Sequence, residues 1–217
     1  MKAILSGEPL KPTIESLRAH FSNAKFLSPP PIDNPDSLAF RKKVEEQGSY
    51  AAILIPIING KDGLEVLLTR RADHLRNHAG QMSFPGGRIE QHDDSHIAAA
   101  LRETEEEIGL PADRTEIIGH LGDYYSVTNY CITPVIGIIH GEFKLTVDPN
   151  EVAEIIHVPL DYLMNPAVFE LDESVYDSIL RRYYSTYYGK HRIWGVSAGI
   201  IIALYKSLAQ THLRGNP

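Results

Sequence analysis

Tyr50 to Ile58 is a nearly continuous apolar run, and its length between turn residues marks a buried β-strand. The turn Asn59-Gly60-Lys61-Asp62-Gly63 follows it, then a second strand-like run from Glu65 to Thr69. Residues 70–93 are irregular, punctuated by Gly80, Pro85, Gly86 and Gly87. A strong helical pattern covers residues 94–108 and is closed by Gly109 and Pro111. Strand-like runs return at residues 115–121, 131–139 and 152–158, and Pro159 opens a short helix. Tyr183 to Trp194 is rich in aromatics, and a last helix runs from Val196 to about Ala209. Strands on both sides of a central helix, with another helix at the end, predict an α/β fold: an α/β/α sandwich around a central mixed sheet. Residues 1–48 read as a peripheral extension with a short helix opened by Pro12-Thr13 and an extended run, Ser28-Pro29-Pro30-Pro31. Residues 49–217 read as the main domain.

Charge and composition narrow the function. The 217 residues suit one elaborated domain, and a net charge of −7 lacks the basic footprint that a nucleic acid needs. A small phosphorylated ligand is still compatible, because a metal ion and a few arginines can meet its charge. The single cysteine, Cys131, has no partner for an internal disulfide and lies in an apolar run, which fits a packed thiol in a reducing, cytoplasmic setting. Met1-Lys2-Ala3-Ile4-Leu5 is too short for a signal core, and Gly199 to Leu204 is too short to span a bilayer. No membrane or nucleic-acid partner is expected.

The helix at 94–108 carries the chemistry. On a helical wheel Ile97, Leu101, Thr104 and Ile108 form a stripe expected to face the core. Glu103, Glu106 and Glu107 cluster on the other side at i, i+3 and i+4, with Ala99 and Ala100 leaving room for a ligand above them. A charge run is usually a solvated face. Here it opposes stability, since like charges at i, i+4 cost an isolated helix roughly 0.2–0.5 kcal/mol. The helix dipole disfavours acidic groups in the last turns by about 0.3–1 kcal/mol each. A divalent cation would remove both penalties, and clustered carboxylates suit Mg²⁺ or Mn²⁺.

The surrounding residues read Gly86-Gly87-Arg88-Ile89-Glu90, Asp94, then Arg102-Glu103-Thr104-Glu105-Glu106-Glu107-Ile108-Gly109-Leu110. This resembles the Nudix box, Gly-x5-Glu-x7-Arg-Glu-U-x-Glu-Glu-x-Gly-U, where U is apolar. Asp94 stands at the first glutamate, the loop before it is one residue longer, and Thr104 replaces an apolar residue. The extra residue leaves Asp93 and Asp94 as alternatives, and either would also serve as the helix N-cap. Upstream, Leu67-Leu68-Thr69-Arg70-Arg71-Ala72, Arg76, Gly80 and Phe84-Pro85-Gly86-Gly87 resemble the extended signature of the coenzyme A diphosphatases of that family. Thr133-Pro134-Val135 and Ile193-Trp194-Gly195 look like features of the same subfamily, with Asn129 at a usual glycine. Asparagine tolerates the left-handed turn expected there.

The resemblance implies metal-assisted attack of water on the diphosphate of coenzyme A, giving 3′,5′-ADP and 4′-phosphopantetheine. It makes Glu103, Glu106 and Glu107 metal ligands, with the Gly86 carbonyl as another. Arg102 would orient a neighbouring glutamate, and Glu151 is the leading candidate for a general base or a fourth carboxylate, ahead of Glu154. Arg71 is assigned to the diphosphate and Arg76 to the coenzyme A phosphates. Tyr183, Tyr184, Tyr187, Tyr188 and Trp194 are read as packing in a core or subunit interface rather than stacking on adenine. His74, His78 and His92 are read as solvated. A homodimer is the expectation by analogy. Rival readings are a hydrolase of ADP-ribose or NADH, a non-catalytic binding module, and an isoprenoid diphosphate isomerase. The intact glutamates oppose the module, and the placement of Cys131 opposes the isomerase.

Overall fold

The computed structural model describes residues 3–4, 6–23, 29, 31–32, 37–176 and 179–212; Ser28 and Pro30 of the proline run lie outside them. The elements in chain order are β1 (Ala3–Ile4), α1 (Ile14–Phe21), α2 (Ser37–Gln47), β2 (Ser49–Gly60), β3 (Gly63–Arg71), β4 (Met82–Ser83) and β5 (Gly86–Arg88). They continue with α3 (His96–Ile108), β6 (Thr115–His120), β7 (Tyr124–Tyr125), β8 (Tyr130–Ile139), β9 (Val152–Pro159) and α4 (Leu160–Leu163). The chain closes with β10 (Glu170–Tyr176), β11 (Ile179–Tyr188), β12 (His191–Trp194) and α5 (Val196–His212).

The apolar run becomes the centre of a mixed sheet. β2 lies parallel to β8 on one side; on the other it is antiparallel to β3 and, nearer its start, to β5. β3 also pairs with β4 and β9, and β6 and β7 pair with β8. Alternate residues of β2 feed two cores. Ala52 and Leu54 pack with Leu67, Val135, Ala99, Ala100 and Ile108 under α3. Ile55 and Ile57 pack with Val66, Leu68 and Ile136 against Ile200, Ile201 and Leu204 of α5. The result is the sandwich expected from the sequence.

Three features differ from expectation. The N-terminal segment is not peripheral: Leu10, Leu17, Phe21 and Ile32 are buried in the α5-side core. A second, antiparallel sheet, β1-β10-β11-β12, forms beside the first. Its strand β10 is too charged to announce itself, yet Asp172 is accommodated by bonds from Ser185 Oγ at 2.5 Å and Arg192 Nη2 at 2.8 Å. Helix α2 is largely polar and has no apolar stripe to read; Val44 is its buried anchor beside Tyr125 and Cys131. Asn129 does take the left-handed turn, at φ 66°. Among the described residues no helix is long and apolar enough to cross a membrane.

Candidate active site

Helix α3 positions the acidic residues. It is capped by Ser95, whose hydroxyl accepts the Ala98 N–H at 3.1 Å, so neither Asp93 nor Asp94 is the N-cap. Asp94 is exposed. Asp93 turns inward, its side chain 3% exposed, and accepts from Nε and Nη2 of Arg102 at 2.9 Å each. The Glu90 N–H adds a bond at 2.8 Å. The guanidinium, then this N–H, hold the Asp93 carboxyl down at about 2. Nη1 of Arg102 reaches Glu103 at 2.9 Å and Glu106 at 3.0 Å, while Nη2 also reaches the Arg88 carbonyl at 3.2 Å. One guanidinium therefore braces the loop and two of the three glutamates.

Those glutamates are not equivalent. Glu106 has a side chain 61% exposed, whereas Glu107 is only 5% exposed and sits between the helix and the sheet. Its Oε2 accepts the Gly86 N–H at 3.2 Å. Burial pushes the Glu107 carboxyl up to about 8; the charges of Glu151 and Glu103 add to the rise, and the Gly86 N–H and Arg71 oppose it. Burial also raises Glu103, with Glu106 and Glu151 adding and Arg102 opposing. The stripe read from the wheel does face the core, with Thr104 and Ile108 buried and Ile97 and Leu101 partly buried against it, but the buried arc extends further round the helix than expected. Ala99 and Ala100 are fully buried and open no space for a ligand, and Glu107 shares their side of the helix. Thr104, where the box has an apolar residue, is buried with its hydroxyl donating to the Ala100 carbonyl at 2.6 Å.

The two glycines of β5 permit this proximity. A Cβ at Gly86 would stand 2.4 Å from the Ala52 carbonyl oxygen, and its φ of +141° disfavours any side chain. A Cβ at Gly87 would stand 2.3 Å from a Glu103 carboxylate oxygen. Glu151 lies in the turn before β9, where its carbonyl accepts the Ala72 N–H at 2.8 Å. Its side chain is exposed, and its charge reaches both Glu103 and Glu107. Glu154 points elsewhere, 3.7 Å from Arg70 and 3.8 Å from His191.

Arg71 ends β3 at an irregularity in its pairing with β9, and its charge is felt by Glu107. Its Nε–H is buried with no acceptor among the described residues. Arg76 is exposed in the following loop, and among the described residues no bond or charge interaction ties it to the carboxylates. His74, His78 and His92 are exposed. Of the aromatics, Tyr184 is buried, Tyr187 is exposed, and Tyr183 and Trp194 pair with ring centres 5.4 Å apart. Cys131 is buried and its thiol is pushed up to about 12, chiefly by burial, which makes it inert.

Among the described residues no three acidic, histidine or cysteine side chains already converge on one ion-sized point. Arg102 and the Gly86 N–H engage Glu103, Glu106 and Glu107 individually. The donor set nonetheless fits a hard divalent cation. It is built of oxygens, and the carboxyl of its buried member, Glu107, is held toward its protonated form by burial and by two nearby carboxylates. A cation offsets that cost.

The NUDIX domain family matches residues 49–179, more than half of the chain. The chain belongs to the Nudix family. A Photorhabdus laumondii relative with the name "Uncharacterized Nudix hydrolase NudL" is 37% identical over 175 residues, covering 81% of this chain and 88% of the relative. An Escherichia coli protein of the same name is 41% identical over 152 residues, covering 70% and 78%. Among solved structures, the Nudix hydrolase RenU from M. smegmatis is 19% identical at a TM-score of 0.48, over 78% of this chain and 88% of that one. The NUDIX domain of Shewanella oneidensis NrtR, solved with ADP ribose, is 19% identical at a TM-score of 0.43, over 59% and 87%. This Nudix protein is an enzyme, a Nudix hydrolase, and Nudix hydrolases generally use divalent cations.

Proposed function

We propose that this Nudix hydrolase cleaves the diphosphate of coenzyme A or acyl-coenzyme A, giving 3′,5′-ADP and 4′-phosphopantetheine or its acyl derivative. The observation that carries the reading is the stretch from Leu67 to Gly87. It matches the coenzyme A diphosphatase signature and ends β3 on Arg71, whose charge reaches Glu107 and whose Nε–H has no acceptor among the described residues. A guanidinium with a free donor beside acidic groups is suited to a diphosphate oxygen.

Glu103, Glu106 and Glu107, with the Gly86 carbonyl, are the residues that would hold Mg²⁺ or Mn²⁺. Such ions, when bound, supply charge neutralisation at the diphosphate and make water easier to deprotonate. Arg102 positions Glu103 and Glu106 from a base fixed by Asp93. Glu151, exposed beside Glu103 and Glu107, takes the proton of the attacking water. The water oxygen bonds to phosphorus as the bridging P–O bond breaks, and each product leaves with a terminal phosphate. Arg71 holds the diphosphate, and Arg76, exposed in the loop that follows, meets the coenzyme A phosphates.

The test is a turnover panel of coenzyme A, acyl-coenzyme A, ADP-ribose and NADH with Mg²⁺ or Mn²⁺, with products identified by mass. Release of 3′,5′-ADP from coenzyme A is expected. Cleavage of ADP-ribose alone would overturn the reading.

A further inference from the structure

A second polar cleft lies across the end of β3 from the carboxylates. It is an open cleft of about 460 Å³ lined by Arg70, Gly80, Glu154, Lys190, Arg192 and Trp194, among others. That volume falls in the range of ligand sites, about 300–1,000 Å³. Arg70 and Arg71 are neighbours where β3 meets β9. Arg71 serves the carboxylate side, while Arg70 faces the cleft with its β9 partner Glu154. Backbone bonds Arg71 N–H to Gln81 at 3.0 Å and Gly80 N–H to Arg71 at 3.1 Å fix the loop that forms one wall. Ser197 at the start of α5 donates to the Met82 carbonyl at 3.0 Å and locks the other wall to it.

The charges in the cleft are unequally satisfied. Arg70 is engaged by Asp73 at 2.6 Å as well as by Glu154. Arg192 gives one Nη to Asp172 at 2.8 Å, interacts with Tyr183 and lies 5.3 Å from the Trp194 ring centre, yet its side chain keeps 37% of its surface exposed. Lys190, exposed just after the turn at Gly189, has no ion pair among the described residues. A free ammonium and a part-exposed guanidinium beside a half-buried indole combine an anion site with a flat aromatic surface. A phosphomonoester on the ribose of a purine nucleotide supplies both complements.

We propose that this cleft is a recognition site for a ribose-phosphorylated purine nucleotide, with Lys190 and Arg192 on the phosphate and Trp194 against the base. The proposal rests on the coenzyme A reading, since it gives that substrate's 3′-phosphoadenosine a place that ADP-ribose and NADH cannot fill equally. It adds a ligand contact to the packing of Trp194 against Tyr183.

Trp194 is the chain's only tryptophan, so its fluorescence reports on the cleft directly. The full chain, freed of metal with chelator, is titrated with 3′,5′-ADP and with 5′-AMP, and the same is done for Lys190→Ala. Lys190 is exposed beside a turn, so the variant should fold. The expected result is a Trp194 response to both, with 3′,5′-ADP bound at least tenfold more tightly than 5′-AMP, and that preference cut to threefold or less in Lys190→Ala. Equal binding of the two nucleotides, no tryptophan response, or an undiminished preference in the variant overturns the proposal. Failure of the two readings is separable. Coenzyme A turnover without a tryptophan response removes the cleft alone, while preferential 3′,5′-ADP binding without coenzyme A turnover removes the substrate assignment alone.

Discussion

Glu107→Gln should make the metal-free protein more stable while destroying its activity. Glu107 has its carboxyl raised to about 8 in the fold, against an ordinary value near 4.5. Between these limits the folded state holds a proton that the unfolded state has released. Stability must therefore fall as pH rises through this window and level off above about 8. Each pH unit costs up to about 1.4 kcal/mol, so the loss between pH 5 and pH 8 is roughly 3 kcal/mol. Glu103 is raised for the same first reason and adds to the trend. Glutamine keeps the shape and an oxygen for the Gly86 N–H, and its NH₂ gains acceptors in the nearby carboxylates. Urea unfolding with chelator at pH 5, 6.5 and 8 measures the difference. The variant should match the wild type near pH 5 and exceed it by roughly 2–3 kcal/mol at pH 8. At the size of this chain, that is a rise in Tm on the order of 5–10 °C. Parallel pH profiles for the two proteins, or a less stable variant at pH 8, would refute the buried-carboxylate argument.

Other substitutions separate positioning from folding. Gly87→Ala should keep a cooperative fold yet lose at least tenfold in turnover, because the new methyl displaces the Glu103 carboxylate; wild-type kinetics would sink that inference. Glu106→Gln should fold normally and lose turnover by orders of magnitude, checked by steady-state kinetics beside thermal melting. Arg102→Lys cannot form the fork on buried Asp93, and a loss of about 2 kcal/mol or more is expected in denaturant unfolding. Leu17→Ala tests the N-terminal helix as part of the core, with an expected loss of about 2–5 kcal/mol; no change would return that segment to the periphery.

The layout of the sandwich was legible where periodicity and punctuation agree. The apolar run of β2 and the closing Gly109 of α3 both appear where the sequence places them. The charged strand β10 and the polar helix α2 were not legible, because their support comes from distant partners such as Ser185, Arg192 and Tyr125. In the site, spacing brought Glu103, Glu106 and Glu107 to one helix, but it could not say which arc of that helix the sheet would cover. A wheel gives angles, and only the packing of β2 and β5 makes Glu107 the buried member. The choice between Asp93 and Asp94 likewise depended on which carboxylate the Arg102 fork could reach. The cleft at Lys190 to Trp194 had a signal in its mixture of cations and aromatics. That signal has no meaning until the hairpin is folded against the Gly80 loop.

The central claim is that this carboxylate group holds divalent cations, and Mn²⁺ binding followed by electron paramagnetic resonance tests it most directly. Free Mn²⁺ should disappear on titration with the wild-type chain at pH 8, and less strongly at pH 6, where Glu107 retains its proton. Glu107→Gln should weaken that binding at least tenfold and lose hydrolysis with it. Mn²⁺ binding unchanged in the variant, or independent of pH across this range, would contradict the assignment.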